Sequence, residues 1–353
     1  MHMADALLAP AVAAVMYAAS GTAAGISVHR LKKDDNPQKL PTMAVASALV
    51  FAGQMINYTI PGTGSSGHMC GGMLLTALLG PHAGFLSMIV ILAIQCLFFA
   101  DGGLMALGAN IWNMAFYGCF VGYYLIWRPI MRGGWFARRG GKAAWRAKIA
   151  CASVLGCVVT LQLGAFSVVL ETSLSGITEL PFGAFAALMQ PIHLAIGLVE
   201  GLVTAAVLVF VYESRPELLL DVDADATGAG KRSLKSVVVI LAVVAALVGG
   251  GLSLLASSNP DGLEWALFGN ADAGYGENMG LDEEHFGVQS GLADAAGSVQ
   301  EATSFLPDYA FQGSDSAAGT TVSGLAGSAM VAGVAALICL AGGFFRRKRT
   351  DAQ

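Results

Sequence analysis

The sequence predicts an all-α integral membrane protein, and three observations carry that prediction: few charges, basic residues confined to clusters, and long apolar stretches between the clusters. Of the 353 residues, 55% are hydrophobic and only 12% are charged, where a soluble domain carries about 25%. All 19 Lys and Arg residues fall in four groups. Arg30, Lys32, Lys33 and Lys39 form the first, and Arg128, Arg132, Arg138, Arg139, Lys142, Arg146 and Lys148 the second. Arg215, Lys231, Arg232 and Lys235 form the third, and Arg346, Arg347, Lys348 and Arg349 the fourth. A soluble protein scatters such residues over its surface, whereas the positive-inside rule gathers them on the cytoplasmic side of a membrane.

A spanning helix needs roughly 20 apolar residues. The candidates are 6–28, 40–59, 69–100, 103–127, 149–170, 182–211, 237–255 and 325–345. With the first cluster inside, the first span places Met1 outside, together with the loop at 60–72 and the segment between the last two spans; the C-terminus is inside. Between the first two clusters the chain must cross an even number of times, yet three apolar stretches are visible. Gly80-Pro81 breaks the longest of them, because proline cannot continue a helix without losing a hydrogen bond. Splitting there gives four crossings, with 69–79 as a short half-helix or re-entrant piece. The expected total is nine crossings, seven up to about Glu213 and two more; the alternative is that one segment lies on the membrane surface. The stretch before the first span has no basic residue, unlike a signal peptide, so the N-terminus is expected to be retained.

The six cysteines, Cys70, Cys96, Cys119, Cys151, Cys157 and Cys339, form no Cys-x-x-Cys pair. They read as small buried hydrophobes and offer neither a disulfide framework nor a thiolate metal site. Of the six histidines, His29 and His285 read as surface residues and His82 as interfacial. His193 precedes Glu200 by seven residues, which places both on one face of a spanning helix. Ionisable groups at membrane depth are functional candidates, although an interhelical hydrogen bond accounts for them equally well. His2 and His68 stand apart, because the topology places both outside. The Met1 amine, the His2 amide nitrogen and the His2 imidazole can form adjoining chelate rings on one ion. His68 ends the Gly-rich run Pro61-Gly62-Thr63-Gly64-Ser65-Ser66-Gly67, which can fold tightly and bring in a fourth nitrogen. Four nitrogens in a plane suit Ni(II), Cu(II) and similar ions rather than hard, oxygen-preferring cations. Spacing alone leaves open that His2 is incidental.

Three motifs resemble the CbiM/NikM family, the substrate-capture components of energy-coupling-factor importers for cobalt and nickel. The opening Met1-His2-Met3-Ala4-Asp5-Ala6-Leu7-Leu8-Ala9-Pro10 resembles that family's M-H-I-P-D-G-F-L-S-P, departing at Ala4 and Ala6. Gly64-Ser65-Ser66-Gly67-His68-Met69-Cys70-Gly71-Gly72 resembles G-T-S-G-H-L-L-G-G, and the run Asp101 to Asn110 resembles D-G-G-L-x-A-L-G-A-N. Beyond residue 213, Asn259-Pro260-Asp261-Gly262-Leu263-Glu264-Trp265 and Leu306-Pro307-Asp308-Tyr309 resemble the PDGLE-type accessory N component. The resemblance therefore implies a NikMN-like fusion: a capture domain at 1–213 built as a core of about seven helices, a cytoplasmic linker at 214–236, and an accessory domain at 237–353 with two further spans. It implies Met1, His2 and His68 as the metal site, and Ni(II) or Co(II) as transported substrate with no permanent cofactor. It also implies as partners a transmembrane coupling protein (CbiQ/NikQ-like) and ATPase subunits (CbiO/NikO-like) in the cell membrane.

The residues themselves argue against an enzyme. Neither Gly230-Lys231-Arg232 nor Gly141-Lys142-Ala143 completes a P-loop, and no His-Glu-x-x-His metallohydrolase signature occurs. A passive divalent-metal channel and an intramembrane metalloenzyme are the weaker alternatives, and nothing points to a nucleic-acid partner. The outer segment 257–321 contains no basic residue; it is expected to be ordered near the Pro-Asp-Gly-Leu-Glu motif and flexible around 270–297.

Overall fold

The computed structural model describes residues 1–32, 39–134, 141–177, 179–222, 232–276, 278–279, 281, 286–313 and 316–350. Lys33, Arg138, Arg139, Lys231, His285 and the linker stretch 223–230 lie outside the described residues, as do the side chains of Lys39, Cys339 and the fourth basic cluster.

The architecture is all-α, with one short hairpin. Helix α1 (Pro10–Leu31) is followed by α2 (Lys39–Gln54), the antiparallel pair β1 (Tyr58–Ile60) and β2 (Ser65–Gly67), α3 (Gly72–Leu79) and α4 (Pro81–Phe99). A short α5 (Leu107–Asn110) continues into a wide helix with five-residue hydrogen bonding over Ile111–Trp127, and then into α6 (Arg128–Arg132). Next come α7 (Gly141–Leu174), α8 (Phe182–Ser214), α9 (Leu234–Gly250), α10 (Gly262–Phe268), α11 (Gly291–Thr303) and α12 (Ala317–Thr350). Six helices among the described residues are long and apolar enough to cross a membrane: α1, α4, α7, α8, the segment Leu234–Leu255 beginning with α9, and Ala317–Ile338 of α12. With α2, α3 and the wide helix they make up the nine segments expected from the sequence.

The outward faces of these helices carry Val15, Leu125, Leu174, Leu202, Leu247 and Leu337, all exposed. In water that pattern would be unstable, and in a bilayer it is the lipid contact. The helices approach closely where the contact residues are small, as membrane helices do without a hydrophobic force between them. Gly201 of α8 lies against Val154 of α7, and Gly249 of α9 faces Gly324 of α12.

The break at Gly80-Pro81 separates α3 from α4 as expected. Helix α3 has eight residues, all buried, a length of about 12 Å against a hydrocarbon core of about 30 Å. It is a half-helix. Its C-terminal end reaches the basic end of the bundle, where Leu220 N donates to Ala77 O at 3.0 Å. A cavity there joins Gly80 and His82 to Arg30, Arg128 and Arg132. The loop between β2 and α3 leads into the half-helix and turns at Gly71 with φ of 85°, a conformation natural to glycine.

The segment after α9 is more ordered than expected. Asp261 caps α10 through a capping box with Glu264. Within the stretch expected to be flexible, Ser290 caps the thirteen-residue α11, and Gln300 fastens it by donating to Cys96 O and Gly102 O at 2.9 and 2.7 Å. An N-cap serine before an alanine-rich run supplies the helix start; composition alone suggested a solvated loop.

Candidate metal centre

The N-terminal nine residues do not trail into solvent. They thread into the bundle end opposite the basic clusters and are held by backbone pairing to side chains. Met3 N donates to Asn110 Oδ1 at 2.7 Å, while Asn110 Nδ2 and Gly103 N donate to Met3 O at 3.1 and 2.9 Å. Ala106 N donates to Asp5 Oδ1 at 2.9 Å. The Asp101–Asn110 run is thus the clamp on the N-terminal segment, in which Met1 and Met3 are buried.

Met1, His2 and His68, picked out in the sequence, come together. The His2 and His68 rings stack with centroids 5.4 Å apart and planes 22° from parallel. The Met1 ammonium lies 3.0 Å from Asp261 Oδ2. His2 Nδ1 faces Asp101 Oδ1 at 3.0 Å, and Nε2 faces Gln95 Oε1 at 3.3 Å. Gln95 in turn donates to Gln54 Oε1 at 2.9 Å, and Gln54 donates to Cys70 O at 2.8 Å. His68 Nδ1 is 3.1 Å from the carbonyl of Met69.

Electrostatics leaves the imidazoles uncharged. Burial lowers the His2 pKa below its usual value against the opposing pull of Asp101. Burial, reinforced by the Met1 ammonium and His2, lowers that of His68 to about 4. For Asp261, burial is the largest influence and works the other way, but the Met1 ammonium, His68 and the Glu264 backbone N–H together outweigh it and hold the carboxyl well below the ordinary carboxylate range. Neutral imidazole nitrogens have lone pairs to give. Among the described residues no three His, Cys, Asp or Glu side chains converge as ligands of one ion, so a metal bound here must draw on the terminal amine and backbone nitrogen as well.

His193 and Glu200 take different roles. Glu200 accepts from Cys70 N at 2.7 Å and Gly71 N at 2.8 Å, pinning the turn that follows His68. His193 Nδ1 pairs with Met189 O at 2.8 Å, and its buried Nε2 has no hydrogen-bond partner among the described residues. It lines a void of about 10 Å³ with Met1, His68 and Asp261. A larger vestibule of about 670 Å³ opens beside it, lined by His2, Asp5, Asp101, Glu264 and Asp308, and again by His68 and Asp261.

The comparisons agree with this architecture. Residues 2–218 match the family described as the cobalt uptake substrate-specific transmembrane region, CbiM. The chain belongs to the CbiM family. Residues 235–342 match the PDGLE domain. The chain is 36% identical to the "Putative fused nickel transport protein NikMN" of Archaeoglobus fulgidus over 94% of its own length and 95% of the relative's. It is 32% identical to the cobalt transport protein CbiM of Sorangium cellulosum over 62% of this chain and 94% of that one. A crystal structure described as a truncated transition metal transporter superimposes with TM-score 0.51 at 31% identity, covering 60% of this chain and 99% of its own.

Sequence reasoning did not place Asp101, Gln95, Gln54 or Asp261 at the centre. Asp101 and Asp261 stand in quoted motifs, so their presence was visible; what they touch is not, because contacts between residues 1 and 261 have no signature in spacing.

Proposed function

We propose that this CbiM-family protein captures Ni(II) or Co(II) through the Met1 amine, the His2 amide nitrogen and imidazole, and His68, at the extracytoplasmic end of the bundle. The observation that carries the reading is the stacking of His2 on His68 beside a buried terminal amine. Nitrogen donors from an amine, an amide and two imidazoles suit late first-row divalent metals and disfavour magnesium and calcium. The same arrangement gives specificity: the ring nitrogens are neutral when the ion arrives, and the vestibule lined with carboxylates favours cations. On binding, His2 Nδ1 exchanges the Asp101 carboxylate for the metal, and the ammonium and amide give up protons. The match to a fused nickel transport protein over nearly the whole chain makes nickel the first ion to test.

The chain lacks a P-loop, so ATP-driven uptake falls to partners, a transmembrane coupling protein and an ATPase pair. The division into capture domain 1–213, linker 214–236 and accessory domain 237–353 belongs to the same proposal. The test is metal analysis of the full chain in detergent, stripped and then loaded with Ni(II). One ion per chain is expected for the wild type and none for His2→Ala; one ion per chain in His2→Ala would refute the assignment.

A further inference from the structure

We propose that Gln95 and Gln54 are positioning residues for the metal centre: their paired amides form a one-way relay that holds the His2 ring proton on Nε2 and leaves Nδ1 free to ligate. The inference rests on the capture site proposed above and extends it to two residues that never touch the ion. An imidazole can bind a metal through either nitrogen. Only Nδ1 closes a chelate ring with the His2 amide nitrogen, because Nε2 lies on the far side of the imidazole. A neutral ring carries one proton, and here it has an acceptor on each side. Asp101 Oδ1 lies 3.0 Å from Nδ1, and Gln95 Oε1 lies 3.3 Å from Nε2. A proton held at Nδ1 by Asp101 blocks the chelating nitrogen, whereas one held at Nε2 by Gln95 frees it.

The sense of the relay is set at its far end. The Cys70 carbonyl can only accept, so Gln54 must turn its Nε2 toward it, at 2.8 Å. Gln54 then presents Oε1 to Gln95, which donates to it from Nε2 at 2.9 Å. The other hydrogen of that NH2 group goes to the Tyr309 hydroxyl, which itself donates to Asp101 Oδ2. Gln95 is left with Oε1 facing His2, and reversing either amide would set two acceptors against each other. Gln95 and Gln54 are 1% and 5% exposed, so bulk water does not replace a lost partner, and an unmade hydrogen bond there is costly. The anchor is held in turn: Cys70 N donates to Glu200 Oε2 at 2.7 Å, and Cys70 stands two residues after His68. The relay thus runs from α4 through α2 and ties the ring of one histidine to the turn that carries the other. Both links are neutral, so the tautomer is set without adding charge to a buried site.

The test uses the full chain in nanodiscs, with Ni(II) affinity read by chelator competition and integrity by thermal melting. Gln95→Leu removes the acceptor at Nε2 and should weaken nickel binding about 10–100-fold. Gln95→Met, closer in shape, should show the same loss and serves if the leucine variant does not fold. Gln95→Glu should restore near-native affinity: as the acid its OH replaces the amide N–H toward Gln54, and its carbonyl oxygen still accepts from Nε2. Gln54→Leu should also weaken binding, but it should add nothing in a chain that already carries Gln95→Leu, because Gln54 acts only through Gln95. Native affinity in Gln95→Leu or Gln95→Met overturns the proposal. So does a Gln95→Glu chain as weak as Gln95→Leu, which would show a role in packing, or a Gln54→Leu loss that multiplies that of Gln95→Leu. If His2→Ala abolishes binding while Gln95→Leu binds as the wild type does, the capture site stands and only the relay fails; if His2→Ala binds nickel normally, both fail.

Discussion

Adding one residue ahead of Met1 should abolish metal binding without touching any side chain. The added peptide bond converts the amine into an amide and moves the free amine about 3.8 Å away. Metal–ligand distances tolerate about 0.2 Å, so the first chelate ring cannot re-form around the displaced nitrogen. The added residue has no room on the inner side, because Met1 is 6% exposed and the void beside it is about 10 Å³, so it must point out into the vestibule and carry the amine away from His2 and His68. Losing a partner that only orients a ligand already costs about 10–100-fold in affinity. Losing the amine and its chelate ring should therefore weaken nickel binding by more than 100-fold, or more than about 2.7 kcal/mol. The extension also removes the ammonium facing Asp261, a local penalty of about 1–3 kcal/mol confined to the N-terminal segment; the helical bundle and its insertion should persist. A cleavable N-terminal tag makes the comparison clean, with cleavage leaving either Met1 or one extra glycine. Chelator-competition titration reads affinity, and thermal unfolding in detergent checks integrity. Native affinity in the extended protein, with unchanged melting, would refute the amine as a ligand.

Other outcomes follow from the same geometry. Glu200→Gln keeps one acceptor but turns an amide NH2 against Cys70 N or Gly71 N, so the turn carrying His68 should loosen and nickel affinity should fall about 10–100-fold, read by titration. Asn110→Ala removes both hydrogen bonds to the Met3 backbone and should cost about 1–3 kcal/mol, appearing as earlier proteolysis of the N-terminal segment as well as weaker binding. Because burial keeps His68 neutral down to about pH 4, protons compete for the amine and amide but not for that ring. Because the His2 amide must give up its proton to ligate, binding should release protons and weaken as pH falls; calorimetry in buffers of different ionisation enthalpy measures this, and binding without proton release would contradict amide ligation. In a cysteine-free background, an impermeant thiol reagent added outside whole cells should label Asp272→Cys and not Lys142→Cys; the reverse pattern would invert the proposed orientation.

The helical architecture was readable because membranes impose simple rules. Basic clusters and apolar lengths located the passes, and Gly80-Pro81 marked the half-helix through proline chemistry alone. The pairing of His2 with His68 followed from topology, which put both at one end. What stayed hidden depends on contacts distant in sequence. Asp261 meets Met1 across 260 positions, and Tyr309 reaches His2 only through Asp101. The order of α11 was missed because a polar, alanine-rich stretch looks the same whether it is solvated or tied down by a single residue such as Gln300. Glu200 and His193 share a face as expected, but periodicity could not separate a carboxylate bonded to backbone from an imidazole lining a void.

The most direct test is a crystal structure of the nickel-loaded full chain with anomalous diffraction at the nickel edge. The account predicts one strong peak within about 2.0–2.2 Å of the Met1 amine nitrogen, the His2 amide and ring nitrogens and a His68 ring nitrogen. A peak elsewhere, such as beside the Glu171–Asn113 pair, with the Met1 amine still bonded only to Asp261, would contradict it.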